Sequence, residues 1–174
     1  KAKEIAASGM VSFRVGSIVD FRLDKTFDLV TCNLDTINHL LSEDEVRRTF
    51  ANAYRHLNDN GMFYFDIHTT AGLRSWVYQR NIHDENLVRF WHGTFNEENA
   101  VGTLYIDAFV KVDPRISLYQ RYHETVHERA YPLTQILKWL RDAGFMDVKP
   151  VGPVAGLSVE QMETDLRSFF CAVK

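Results

Sequence analysis

The sequence predicts an α/β domain, a sheet built on a parallel strand pair and interrupted by an inserted antiparallel β lid. Three observations carry this. Phe27-Asp28-Leu29-Val30-Thr31-Cys32 and Gly61-Met62-Phe63-Tyr64-Phe65-Asp66-Ile67 are strand-length runs rich in apolar and β-branched residues. Between them Val46, Phe50, Ala53, Tyr54 and Leu57 fall on one stripe of a helix, and a crossover helix makes its flanking strands parallel and right-handedly connected. Residues 87–95, 100–112 and 116–131 are long strand-like runs separated only by short turn-rich segments, as an antiparallel meander requires.

Taken in order, residues 1–7 read as the end of a helix that stops near Gly9. Residues 10–15 alternate and run into Gly16-Ser17-Ile18, giving a first strand and its exit loop. Ser42 and Glu45 have capping-box spacing ahead of the crossover helix, and Gly61 follows it. Thr69 or Thr70 can cap a short helix carrying Leu73, Trp76 and Val77. After the meander, Pro132 opens a helix with Leu133, Ile136, Leu137 and Leu140 on one stripe, ended by Gly144. Residues 145–151 and 167–173 read as two further strands joined by a loop with Gly152, Pro153 and Gly156. The expected organisation is a core over residues 1–85, a lid over 86–131 inserted in the same domain, and the rest of the core over 132–174.

At 174 residues, 45% hydrophobic and 13% aromatic, the chain can fill one core. A net charge of -3 and a pI near 6.2, with no long run of one sign, argue against a nucleic-acid partner or a membrane surface and for a small neutral or cationic ligand. No apolar stretch reaches membrane-spanning length and the first residues do not form a signal peptide, so a cytoplasmic location is expected. Cys32 and Cys171 sit in apolar runs, where a thiol acts as a small buried hydrophobe. The seven scattered His and the absence of CxxC suggest no metal site.

In parallel sheets ligands sit beyond the carboxyl ends of the strands. Asn33, Leu34, Asp35 and Thr36 leave one strand there and Asp66, Ile67, His68 and Thr69 the other, so the two exits form one rim. On the last lid run Leu118, Gln120, Tyr122, Glu124 and Val126 share one face, and Tyr119, Arg121, His123, Thr125 and His127 the other.

Gly16-Ser17-Ile18 after a strand, Phe27-Asp28-Leu29-Val30 followed by Asn33, the turn into Phe65-Asp66-Ile67-His68, Ala143-Gly144-Phe145 and the closing Ser168-Phe169-Phe170-Cys171-Ala172-Val173 resemble, as an ordered set, class I S-adenosylmethionine-dependent methyltransferases of the bacterial small-molecule type. In that type an antiparallel lid follows the fifth strand and ends in a segment similar to Glu128-Arg129-Ala130-Tyr131-Pro132. The resemblance implies a Rossmann-like methyltransferase sheet, S-adenosylmethionine as cofactor, Ser17 and Ile18 bordering its adenine, and Asn33 and Leu34, with Asp35, near its methionine part. The family usually has an acidic residue where Ser17 stands, so adenine is held without charge here.

Methyl transfer from a sulfonium is an in-line displacement, for which the protein supplies orientation and a water-poor site. A base is needed only when the acceptor must lose a proton. His39 and His68 are the expected catalytic residues, unranked, because imidazole titrates near working pH. Tyr122, Glu124 and His127 are the expected substrate contacts, and the expected reaction is N- or O-methylation of a small molecule, with a homodimer kept open. The competing reading is a non-catalytic interaction module of the same fold.

The family's glycine-rich loop after its first strand and the acidic residue ending its second have no counterpart among the nine dispersed glycines. By the family layout two βα units of about 30 residues each precede Lys1. Either this is part of a longer polypeptide, or another chain supplies those strands, or the fold has rearranged. The first predicts an intact mass clearly above 20.2 kDa, and a measured mass of that value would favour the others.

Overall fold

The computed structural model describes residues 11–113, 115–151 and 158–174. The opening helix, Pro114 and the loop at Gly152, Pro153 and Gly156 lie outside the described residues. Two four-stranded sheets account for the fold. The core sheet contains β1 (Phe27–Cys32), β2 (Leu57–His68), β7 (Asp147–Pro150) and β8 (Arg167–Val173) in the order β1-β2-β8-β7. The lid contains β3 (Gln79–His83), β4 (Leu87–Asn96), β5 (Val101–Lys111) and β6 (Tyr119–Arg129), antiparallel throughout in chain order. The helices are α1 (Glu43–Arg55), α2 (Thr70–Arg74), α3 (Leu133–Asp142) and α4 (Val159–Met162), with a 3-10 turn at Thr36–His39.

β1 and β2 run parallel, Val30 beside Phe63 and Cys32 beside Phe65, as the crossover helix requires. Period-2 alternation sends Phe63, Phe65 and Ile67 of β2 and Phe170 and Ala172 of β8 to one face, where they are buried. Against that face lie Val46, Phe50 and Ala53 of α1 and Ile136, Trp139 and Leu140 of α3. Phe65 meets Phe50 at 5.5 Å and Phe170 at 5.2 Å between ring centroids. Each such aromatic side chain contributes roughly 1.5–3 kcal/mol by leaving water. Gly144, at φ 111, turns the chain out of α3 beneath the ring of Tyr54.

Three local expectations are corrected. Residues 11–16 are not a strand: Phe13 and Val15 are exposed, and their alternation meets no ladder partner among the described residues. Ser42 occupies the N-cap of α1, but its side chain makes no capping bond, so the box with Glu45 does not form. Glu43, Asp44 and Glu45 instead place negative charge at the helix's positive end. The lid sheet also starts before residue 86, because Asp84 closes a hairpin inside it, accepting from the Asn86 and Leu87 amides at 2.8 and 2.9 Å.

The lid is fastened to the core by close backbone approach. Gly93 on β4 donates to the Tyr78 carbonyl at 3.0 Å and lies against the Trp76 backbone, while Gly102 on β5 lies over Leu73 and Trp76. Thr69 caps α2 by accepting from the Gly72 amide. Among the described residues no helix is long and apolar enough to cross a membrane.

A Cβ at Gly93 would collide with the Trp76 carbonyl oxygen, which is backbone and cannot swing aside. Gly93→Ala is expected to cost about 2 kcal/mol or more, lowering Tm by roughly 4–8 °C in a thermal melt.

Candidate active site

The rim forms where β1 and β2 end side by side. Beyond β1, Leu34 and Asp35 adopt left-handed backbone at φ 59 and 53, a conformation that costs non-glycine residues of order 1–3 kcal/mol each. Asp66, two residues before the end of β2, holds them there. Its Oδ1 accepts from the Leu34 amide at 2.7 Å and its Oδ2 from the Asp35 amide at 3.1 Å, although the side chain is almost fully buried. Arg167, the first residue of β8, pairs across the ladder with His68 and bonds Asp66, the Asp35 carboxylate at 2.9 Å and the His68 Nε2 at 2.9 Å.

These partners decide the His68 tautomer. A guanidinium can only donate, so Nε2 accepts and the ring proton sits on Nδ1. Nδ1 then donates to Oε2 of Glu128 at 2.8 Å. The His68 main chain is gripped as well: Asn38, 1% exposed, accepts from its N–H at 2.9 Å and donates to its carbonyl at 3.0 Å. The same Asn38 amide donates to the Arg129 carbonyl at 2.9 Å, tying the last residue of the lid to the rim. The rings of Trp76 and His68 meet edge to face, 5.6 Å between centroids.

Glu128 is 2% exposed. Burial pushes its carboxyl above the usual range, the His68 hydrogen bond opposes this, and the neighbouring Asp35 charge adds to it. Asp35 is also penalised by burial, but hydrogen bonds with Glu128 and Arg167 and the Arg167 charge hold it below the usual carboxylate range. Ligand atoms of Asp35, His68 and Glu128 lie within 4.8 Å of one another, a spacing a divalent ion could use. The Arg167 guanidinium already bonds two of the three, so the cation at this point is the arginine. Two carboxylates, Asp35 and Asp66, meet the one guanidinium, leaving an excess of negative charge that suits a cationic ligand.

The expected site residues divide between three places. Asn33 and Leu34 line a cleft of about 360 Å³ with Tyr64, Asp66, Arg167 and Phe169, and Asp35 borders it through Arg167. His39 reaches the same network from the 3-10 turn, its Nε2 3.7 Å from Oε1 of Glu128 with half the side chain in solvent. Ser17 and Ile18 are not brought to this rim. They line a separate cleft of about 520 Å³ beside Phe27, where β1 begins, because their segment is docked on α1. Asn52 donates to the Ile18 carbonyl at 3.2 Å, His56 accepts from the Leu23 amide at 3.1 Å, and Phe21 stacks on His56 at 4.5 Å.

On β6, Tyr122 and Glu124 share the face of Glu128, which looks toward the rim, but both stand exposed further along the strand. His127 lies on the opposite face, its Nδ1 3.0 Å from the Thr103 hydroxyl. Sequence reasoning missed Glu128 and Arg167 as members of the site. Glu128 carried one signal, a carboxylate two residues past Val126 on the inward face; Arg167 carried none, because the strand it opens reads as core. Burial raises the Cys32 thiol to about 11, so it stays un-ionised at neutral pH, a small hydrophobe rather than a nucleophile.

The raised Glu128 carboxyl has a signed consequence. Folding opposes its ionisation, so the stability it contributes is complete below the unfolded value of ~4.3 and is lost as pH rises through the folded value. Glu128→Gln keeps an acceptor for His68 without titrating. The variant's Tm minus that of the wild type is expected to grow from about pH 4 upward in melts across a pH series.

The family described as "Methyltransferase domain" matches residues 1–65. A protein of Geobacillus sp. (strain WCH70) that carries a provisional methyltransferase name is 28% identical over 185 residues, spanning 100% of this chain and 70% of the relative. The crystal structure of an S-adenosylmethionine-dependent methyltransferase from Clostridium acetobutylicum ATCC 824 superposes with a TM-score of 0.83 at 24% identity, covering 98% of this chain and 68% of that one. The sugar N-methyltransferase KedS8 from Streptoalloteichus sp. ATCC 53650 has a TM-score of 0.70 at 17% identity over 91% of this chain and 60% of its own. These likenesses show that the chain shares the fold of S-adenosylmethionine-dependent methyltransferases and is similar in sequence to methyltransferase domains.

Proposed function

We propose that this protein transfers the methyl group of S-adenosylmethionine to a nitrogen or oxygen of a small-molecule acceptor held between the rim and the inward face of the lid. The observation that carries this is the Asn33–Leu34 cleft, open at the carboxyl ends of two parallel strands and backed by more carboxylate than cation. The sulfonium and the ammonium of the donor's methionine part are cationic, and Asp35 and Asp66 give them a matching field. When bound, the cofactor supplies an electrophilic methyl group.

The chain's own residues divide the remaining work. Asn33, Leu34 and Asp35 hold the methionine part of the donor. Of the two histidines, His39 is the better base for an acceptor that must lose a proton. Its ring is half exposed beside Glu128, whereas both ring nitrogens of His68 are committed. Tyr122 and Glu124, on the lid's inward face, contact the acceptor; His127, on the outer face, is left out of this set. A small acceptor fits the modest dimensions of the cleft and the mixed charge of the surface around it.

Titration calorimetry with S-adenosylmethionine and S-adenosylhomocysteine tests the reading. Binding at micromolar Kd is expected, and Leu34→Arg, which places a bulky cation in the cleft, is expected to weaken it by roughly tenfold or more. A folded, full-length protein that binds neither compound would overturn the proposal in favour of a non-catalytic module of the same fold.

A further inference from the structure

The structure assigns Arg167, rather than either histidine, as the positioning residue that sets the donor-facing loop and the root of the lid together. The inference rests on reading the Asn33–Leu34 cleft as the donor pocket. Arg167 reaches three separate pieces of the site from one side chain: Asp35 in the loop after β1, Asp66 inside β2, and His68 at the end of β2.

Each bond has a distinct effect. Bonding Asp66 gives a buried carboxylate a charged partner and fixes it where it holds the Leu34 and Asp35 amides in left-handed backbone. Bonding Asp35 fixes the side chain of that same loop, so the loop is gripped by its main chain and its carboxylate at once. Bonding His68 selects the tautomer whose Nδ1–H points at Glu128, the only lid carboxylate among the described residues that enters this network. The route from cofactor loop to lid thus runs Leu34, Asp66, Arg167, His68, Glu128 without leaving hydrogen-bond contact. Asn38 runs parallel to it, from His68 to the Arg129 carbonyl, and grips main chain only.

The geometry calls for arginine in particular. The planar fork reaches Asp66 through one terminal nitrogen, and Asp35 and His68 through the other. A lysine ammonium is a single point on a flexible stem and can neutralise Asp66 or Asp35 without also fixing the His68 ring. The two roles therefore separate by substitution: Lys keeps charge and loses span, while Met keeps bulk and loses both.

Wild-type protein, Arg167→Lys and Arg167→Met are to be compared by titration with S-adenosylhomocysteine and by hydrogen exchange resolved at the Leu34 and Asp35 amides. Arg167→Met is expected to raise Kd by roughly tenfold or more and to speed exchange at those two amides, while amides in the middle of β2 stay protected. Arg167→Lys is expected to recover part of the binding, and to leave segment 128–131 of the lid exchanging faster than in the wild type. Kd within about twofold of wild type in both variants, with unchanged exchange at Leu34 and Asp35, would overturn the inference. So would exchange that rises equally through β2, because that marks general loss of stability rather than loss of positioning. Failure of the wild type itself to bind S-adenosylhomocysteine would instead overturn the donor-pocket reading, and the exchange measurement would still decide whether Arg167 sets the loop.

Discussion

A carboxylate as deeply buried as Asp66 has to be met by donors, and the way it is met shapes everything around it. Two of its donors are consecutive backbone amides that can converge on one carboxylate only if Leu34 and Asp35 take left-handed conformations. A third is Arg167, brought within reach because β8 inserts antiparallel beside β2 with Arg167 opposite His68. The backbone strain of the loop and the cost of burying the carboxylate are thus offset in one place. Packing of Phe63, Phe65 and Phe170 against α1 and α3 holds the strands in the register that makes this meeting geometrically available.

The same constraint anchors the root of the lid. β6 contributes Glu128 and the Arg129 carbonyl to the rim, and only there does it meet the network. The hairpins at Asp84, Asn96 and Asp113 are held by side chains that cap their own turns, and the Asn96 hairpin is also tied to α2 by Arg74, which donates to both oxygens of Glu97 at 2.8 and 2.6 Å. The contacts of Gly93 and Gly102 with Trp76 and Leu73 supply a second attachment, through backbone proximity rather than charge. Held at these points, the lid presents its inward face to whatever enters the cleft.

Charge at the site is distributed with some economy. Arg167 serves Asp35 and Asp66, His68 bridges a donor and an acceptor, and Glu128 answers burial by resisting ionisation. The surplus of carboxylate over guanidinium gives the cleft a preference for positive ligands. That preference belongs to the arrangement as a whole and to no single residue, which is why inspection of His39 and His68 as isolated bases could not rank them.

The elements were largely legible in the sequence. The parallel pair followed from apolar runs at Phe27 and Phe63 flanking a helical stripe, the lid from long alternating runs with short turns, and α3 from Pro132 and Gly144, because each signal is local and repeats with the period of its element. The order of these elements also carried the resemblance to the methyltransferase class. Contacts across 101 residues, such as Arg167 to Asp66, leave no local periodicity to read. Nor does sequence spacing say that residues 11–16 find no ladder partner among the described residues, that Ile18 is bonded to α1, or that His127 faces away from Glu128. Composition and periodicity determined which segments become strands and helices and which face of each turns inward. Only the folded chain decided which buried charges meet, since that depends on strand order and register, and a shift of one residue would send Arg167 to the other side of the sheet.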